Sequence, residues 1–207
     1  PVELGVEVTP EFVFELQPEA VIVATGSRPK ACPVAGADNP AVFNVWQLLR
    51  GEAELGEKVL LIDYDGHHQA TATAEFVAEL GKTVHVVTSS LFVGADLGPS
   101  QDLYLTRQRL LQKGVTFTPD FAVMEIKGTD RGAGKGLEVH GFNVYSNVWD
   151  VISGYNSIVT AMGNDACDDL YFALKGKVPE LYRIGDCVAP RKVDMAVHEG
   201  YVVGKRV

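Results

Sequence analysis

Three turns in this sequence combine residue types and spacing that could meet a ligand. The first is Ala24-Thr25-Gly26, where small residues follow an apolar run. A chain so built can pass close to a bound molecule, or simply make a tight turn. The second is Ile184-Gly185-Asp186. Running straight out of an apolar segment, Gly-Asp can offer a carboxylate and its neighbouring N–H groups to a phosphate or a sugar hydroxyl; alternatively Asp186 caps a following helix. The third is Asp63-Tyr64-Asp65-Gly66-His67-His68. It stands where a dinucleotide fingerprint would place three glycines, so that backbone N–H groups and a helix N-terminus can meet a pyrophosphate. Here those slots hold Asp63, Asp65 and His68. Two carboxylates are expected to face the anion, and the side chains to block backbone approach. At the end of the next strand, where ribose recognition would want Asp or Glu, the chain has Thr88-Ser89-Ser90. The third turn therefore has the scaffold of a dinucleotide site without its chemistry.

Other chemistries are excluded on similar grounds. His67 and His68 are adjacent at a helix start, so they point in different directions and do not share an ion. Cys32, Cys167 and Cys187 are far apart and form no CxxC, so no metal site is read. Cys187 reads as structural. No Ser/His/Asp set and no Gly-Lys phosphate cradle occurs, and no catalytic residue is assigned.

The elements that would carry these turns follow from periodicity. Ala20–Ala24 is a continuous apolar run, as in a buried parallel strand. Phe12–Leu16 reads as another strand, Val42–Leu49 as a short helix, and Pro33–Pro40 as a loop suited to a domain crossing. Lys58–Ile62, His67–Leu80 and Thr83–Val87 form strand, helix and strand within about 30 residues, which implies a right-handed crossover in a parallel sheet. Ala70, Ala74, Val77 and Ala78 mark the packed face of that helix, and Gly81 ends it. Pro99–Gln112 reads as a helix. Val115–Thr118, Phe121–Ile126, Gly136–His140 and Phe142–Tyr145 are short strands of an antiparallel meander, with a glycine-rich turn from Gly128 to Gly136. Ser157–Thr160 and Leu181–Ile184 are strands, and Asp194–Val207 is a helix. The fold class is α/β with parallel sheets.

The 207 residues suffice for one large domain or two small ones. A hydrophobic content of 46% fits a soluble globular protein. No apolar run reaches the roughly 18 residues of a membrane span, and no signal peptide is visible. The net charge of −9 disfavours nucleic acid. A sparse, odd set of cysteines fits a reducing cytoplasm. The chain begins at Pro1 and stops at Val207 within an apparent helix, and both ends read as cuts.

Val21-Ile-Val-Ala-Thr-Gly-Ser-Arg-Pro29, Pro33-Val-Ala-Gly-Ala-Asp-Asn-Pro40 and Arg183-Ile-Gly-Asp-Cys-Val-Ala-Pro-Arg191 resemble flavoprotein pyridine nucleotide–disulfide reductases. More narrowly, the whole chain resembles the C-terminal half of the multidomain NADH:flavin oxidoreductases. That group includes 2,4-dienoyl-CoA reductase and the trimethylamine, dimethylamine and histamine dehydrogenases. The resemblance implies Rossmann-like domains of the FAD/NAD(P)-binding type, one inserted in the other. Residues 1–39 would end the first half of an FAD- or ADP-type domain, 40–164 would be a degenerate NAD(P)-type insertion, and 165–207 would begin the second half. It implies an N-terminal FMN barrel in the same polypeptide, a 4Fe-4S centre, and ADP or FAD in the first nucleotide domain. Thr25, Gly26, Gly185 and Asp186 would lie near that nucleotide. The glycine-bearing βαβ of that domain would precede Pro1, so no cofactor is expected to be held tightly by this chain alone.

Asp63 and Asp65 depart from the NAD(P)H-using members and resemble the amine dehydrogenases, which keep ADP as a structural ligand and pass electrons to a flavoprotein. Three expectations follow: the accessory part of an amine or N-methyl dehydrogenase acting with an electron-transfer flavoprotein; an NAD(P)H-dependent enoate or 2,4-dienoyl-CoA reductase; or a non-catalytic nucleotide-binding or docking domain.

Overall fold

A computed structural model of the chain describes residues 1–129 and 136–207. It divides into two compact units. Unit 1 comprises Pro1–Arg28 and Asn164–Val207, and unit 2 comprises Pro29–Gly163.

Unit 2 is built on a five-stranded parallel sheet. Its order is Val42–Asn44, Ser157–Ala161, Lys58–Asp63, Thr83–Thr88 and Thr116–Thr118. The apolar run that announces the central strand is explained by its two buried faces. Val59 and Leu61 pack with Ala70, Ala74, Val77 and Leu110 under the His68–Glu79 and Leu103–Gln112 helices. Leu60 and Ile62 face the opposite way, into Val123, Ile126, Leu137 and Val139 of an antiparallel sheet. That sheet is a meander of Phe121–Thr129, Gly136–Asn143 and Trp149–Tyr155. Helices, parallel sheet and meander make three layers, and each fully buried Leu or Ile between them contributes about 1.5–3 kcal/mol. The expected Gly128–Gly136 turn falls largely outside the described residues.

The Pro33–Pro40 loop lies within unit 2. Val34 is buried in the core beneath the meander, and the Ile126 N–H donates to the Ala35 carbonyl at 2.8 Å. Gly36, at φ 79°, could carry no side chain: an added Cβ would sit 2.1 Å from the Ile126 carbonyl oxygen.

In unit 1, Ala20–Val23 pairs in parallel with Glu180–Arg183, from Ala20↔Glu180 to Val23↔Arg183. Val13, Val23, Leu174 and Cys187 form its core. The Cys187 thiol donates to the Val23 carbonyl at 3.1 Å, which fits a structural cysteine.

Four elements differ from the sequence reading. Phe12–Leu16 is not a strand but the body of a helix, Pro10–Leu16. Its start signals prevail over the apolar Phe12-Val13-Phe14 run: the Thr9 side chain accepts the Phe12 N–H at 3.3 Å, and Pro10 opens the first turn. Val42–Leu49 splits into a strand and the Val45–Leu49 helix, because Asn44 and Gln47 form a reciprocal capping box at the junction. The helix expected from Pro99 begins at Leu103, after a short 3-10 turn at Ala95–Leu97. Gly136–His140 and Phe142–Tyr145 are one strand ending at Asn143, and Trp149–Tyr155 supplies the third strand of the meander. Among the described residues no helix is long and apolar enough to cross a membrane.

Candidate functional site

In unit 2 the central strand delivers Asp63 to the C-terminal edge of the sheet, directly before the His68–Glu79 helix. This is the place where an open α/β sheet receives a ligand. Asp63 is fully buried and does not face outward as the sequence suggested. Its Oδ1 accepts the N–H groups of Asp65 at 3.1 Å and Gly66 at 2.8 Å. Asp65 in turn accepts the His67 N–H on Oδ2 at 3.3 Å. Three N–H groups of this turn, those of Asp65, Gly66 and His67, are therefore taken by the chain's own carboxylates. Gly66, at φ 69°, permits the turn.

Neighbouring side chains hold this turn in place. The Tyr64 hydroxyl donates to the Val123 carbonyl at 3.2 Å and accepts the Val123 N–H at 3.1 Å. His67 Nε2 lies 3.9 Å from Asp96, and His68 Nε2 lies 3.2 Å from Asp102. The two histidines thus serve separate carboxylates, and among the described residues no three His, Cys, Asp or Glu side chains are placed to hold a metal. At the next strand exit the Thr88 hydroxyl accepts the Ser90 N–H at 3.2 Å, closing that turn on itself.

Burial pushes the Asp63 carboxyl up to about 6, against the pull of the Gly66 N–H and with a further push from Asp65. Its Oδ2 is buried with no full hydrogen bond among the described residues. Burial also raises Asp65.

Unit 1 has a different arrangement. A cavity of about 500 Å³ is lined by Ala24, Gly26, Ile184, Gly185, Asp186 and Arg191, together with Val193 and Ala196 of the C-terminal helix. Gly26 at φ 73° and Gly185 at φ 68° keep its walls low. Asp186 is clamped from two sides: the Ser27 hydroxyl donates to Oδ2 at 3.0 Å and the Arg191 N–H to Oδ1 at 3.3 Å. Glu199, from the Val193–Gly204 helix, accepts the Gly185 N–H on Oε2 at 2.7 Å and the Arg191 guanidinium on Oε1. Arg191, ahead of the Gly185 N–H, holds the Glu199 carboxyl below its ordinary range.

No protein-family model matches the chain. It is 27% identical over 216 residues to a probable N-methylproline demethylase of Rhizobium meliloti (strain 1021), covering 91% of this chain and 31% of that protein. It is 26% identical over 238 residues to the N,N-dimethylglycine/sarcosine dehydrogenase of Chromohalobacter salexigens, covering 98% of this chain and 33% of that protein. Among solved structures, a 2-naphthoyl-CoA reductase in complex with 2-naphthoyl-CoA superposes with a TM-score of 0.83 at 30% identity, covering 99% of this chain and 29% of the reductase. These relatives are flavin-dependent oxidoreductases, and the chain corresponds to one part of such a larger protein. It spans about a third of the length of these curated relatives.

Within this chain the expected site residues divide. Gly26, Gly185 and Asp186 line one cavity. Thr25 does not: its hydroxyl donates to the Cys167 carbonyl, while the Cys167 N–H donates to the Gly26 carbonyl at 2.9 Å. Thr25 shapes the turn, and Gly26 meets the cavity. Sequence reasoning missed Arg191 as a cavity residue and missed Glu199 altogether. Glu199 lies on the helix following the Gly-Asp turn, and nothing in its spacing shows that its side chain reaches back to Gly185.

Proposed function

We propose that the chain is the accessory nucleotide-type part of a flavin-dependent dehydrogenase acting on amines or N-methyl compounds. In this reading unit 1 is the FAD- or ADP-type domain, interrupted by a degenerate NAD(P)-type domain, unit 2. The observation that carries it is the Asp63 turn. The Asp65, Gly66 and His67 N–H groups are already taken by Asp63 and Asp65, so an incoming pyrophosphate meets carboxylates in place of those donors. A carboxylate held ~4 Å from a phosphate charge costs on the order of 4 kcal/mol at an effective dielectric near 20. A helix N-terminus returns only about 0.3–1 kcal/mol at an exposed site. NAD(P)H is therefore not the electron donor here, and electrons leave to a protein acceptor such as an electron-transfer flavoprotein. Two relatives named for N-methyl substrates agree with this branch.

The reacting centre lies elsewhere in the polypeptide, in an FMN barrel accompanied by a 4Fe-4S cluster. The three free cysteines here do not fit a cluster, since Cys187 is buried and no three ligating side chains meet among the described residues. Unit 1 of this chain holds no flavin tightly, because one wall of a site cannot offset the entropy of ordering a long cofactor.

The second reading, an NAD(P)H-dependent reductase of enoyl or dienoyl thioesters, is favoured by the likeness to the naphthoyl-CoA reductase. Calorimetric titration with NADH and NADPH separates the two. No binding is expected. Micromolar affinity that disappears when Gly66 is replaced by a bulky residue would restore the reductase reading. In the absence of binding, replacing Asp63 and Asp65 by glycine should raise affinity, with Thr88-Ser89-Ser90 still holding the ribose poorly.

A further inference from the structure

We infer that Glu199 is a specificity-determining residue that excludes phosphate from the unit 1 cavity and leaves its Gly185 turn to uncharged, hydroxyl-bearing groups. The inference rests on the reading of that cavity as part of a nucleotide site.

Two features of the cavity could attract an anion. One is the Gly185 N–H, at the mouth of a left-handed turn. The other is the Arg191 guanidinium, a cationic side chain on the wall. Glu199 engages both: Oε2 accepts the Gly185 N–H at 2.7 Å, and Oε1 accepts Arg191 Nη2 at 2.5 Å. The remaining Arg191 donor whose partner is known, Nε, goes to the Ala189 carbonyl at 3.1 Å. Asp186 places a carboxylate on the wall itself, with both oxygens already accepting from the chain. Asp186 and Glu199 thus set two negative charges against the single positive charge of Arg191. A phosphate drawn to the Gly185 N–H would have to displace Glu199 from that charge-assisted bond and would then lie beside its carboxylate.

A hydroxyl group meets no such opposition. Each carboxylate oxygen has a second acceptor direction, so a hydroxyl can donate to Asp186, which lines the cavity, without breaking its existing bonds. Small walls at Ala24, Gly26 and Ala196 let a sugar-like group come close. The carboxylate that stabilises the turn therefore also selects what enters the cavity beside it.

The substitution that isolates this role is Glu199→Gln. The glutamine carbonyl can still accept the Gly185 N–H, so the turn keeps its shape, whereas Arg191 loses its counter-charge. Inorganic pyrophosphate is titrated into the isotope-labelled chain, and the Gly185 amide and Arg191 side-chain resonances are followed. In the wild type no saturable shift is expected at either position. In Glu199→Gln both should shift saturably, with affinity at least about tenfold above wild type. The gain should vanish when Arg191→Gln is added. Glu199→Ala, which also frees Gly185, should bind pyrophosphate likewise and serves if the glutamine variant does not fold. A saturable wild-type shift at Gly185, or folded Glu199 variants that gain nothing, overturns the inference. ADP and adenosine titrations are run alongside. Failure of both to shift the cavity resonances even at millimolar concentration, where the weak binding expected of one wall of a site would show, counts against the nucleotide reading, while the pyrophosphate result still decides the role of Glu199.

Discussion

In unit 2 the turn beyond a central strand is filled by a carboxylate from the strand itself, Asp63; in unit 1 the turn beyond Glu180–Arg183 is held by a carboxylate that arrives from a helix, Glu199. Both turns pivot on a left-handed glycine, Gly66 at φ 69° and Gly185 at φ 68°. Asp63 is fully buried with no cation beside it among the described residues, and its carboxyl is pushed up to about 6. Glu199 remains partly exposed, is paired with Arg191, and is held below its usual range. The same donor–acceptor arrangement is thus buried without a counter-charge in one unit and salt-bridged and partly exposed in the other. Burial without a counter-charge seals a turn, whereas a salt-bridged carboxylate on a neighbouring helix leaves a cavity beside it.

This contrast can be broken at several points. The largest effect is expected from Asp63→Asn. The folded pKa of about 6 lies above the value of 3.8 for an unperturbed aspartate, so the native state binds the proton more tightly than the unfolded chain. Stability from this group is therefore complete below about pH 4 and falls as pH rises toward about 6, by roughly 3 kcal/mol at 1.36 kcal/mol per pKa unit. Asparagine should remove this slope and leave the protein more stable than wild type at neutral pH. Urea denaturation across the pH range measures it, and a wild-type stability that rises through this window would contradict the sealed-turn account.

The glycines should differ in turn. Gly66→Ala is expected to cost about 2–3 kcal/mol, combining left-handed strain with displacement of Asp96, whose carboxylate would lie 2.8 Å from the new Cβ. Gly185→Ala meets only Ala196 at 3.5 Å and should cost about 1–2 kcal/mol, from backbone strain alone. Equal losses in thermal unfolding would mean that the two turns are equally crowded. Tyr64→Phe, which removes both bonds to Val123, should cost about 1 kcal/mol. Arg191→Gln, which breaks a partly exposed ion pair, should change stability by less than about 1 kcal/mol, yet abolish the pyrophosphate binding gained by Glu199→Gln when the two are combined.

The parallel sheet was legible because Lys58–Ile62 and Ser157–Thr160 are apolar on both faces, and because the small residues of His67–Leu80 announce a helix lying close on a sheet. The Trp149–Tyr155 strand was not, since most of its residues are exposed and no alternation marks a buried face. The helix at Pro10–Leu16 was hidden because it has one buried residue, Val13, and its apolar triplet imitates a strand. For the site, the residue types at Asp63 and Asp65 sufficed to argue against a pyrophosphate. They could not tell that Asp63 points inward, because the direction depends on which N–H groups the turn leaves open. Glu199 depends on the packing of a helix against a turn, which no local pattern records.

The ladder between Ala20–Val23 and Glu180–Arg183 also dictates an order of assembly. Its first pair, Ala20 and Glu180, lies 160 positions apart, and closing so long a loop of unfolded chain costs on the order of 4–5 kcal/mol in entropy. Unit 2 removes most of that cost once folded, because it ties its own ends together: the Lys30 N–H donates to the Gly163 carbonyl at 3.1 Å. With that knot made, the two strands of unit 1 are separated only by the short segments flanking it. On the ribosome, unit 2 can form while the strand at Glu180 is still unmade, and Ala20–Val23 must wait for it. Pulse-labelling hydrogen exchange during refolding should therefore find the Lys58–Asp63 amides protected before those of Ala20–Val23, so that the inserted sequence acts as the scaffold on which its host domain is completed.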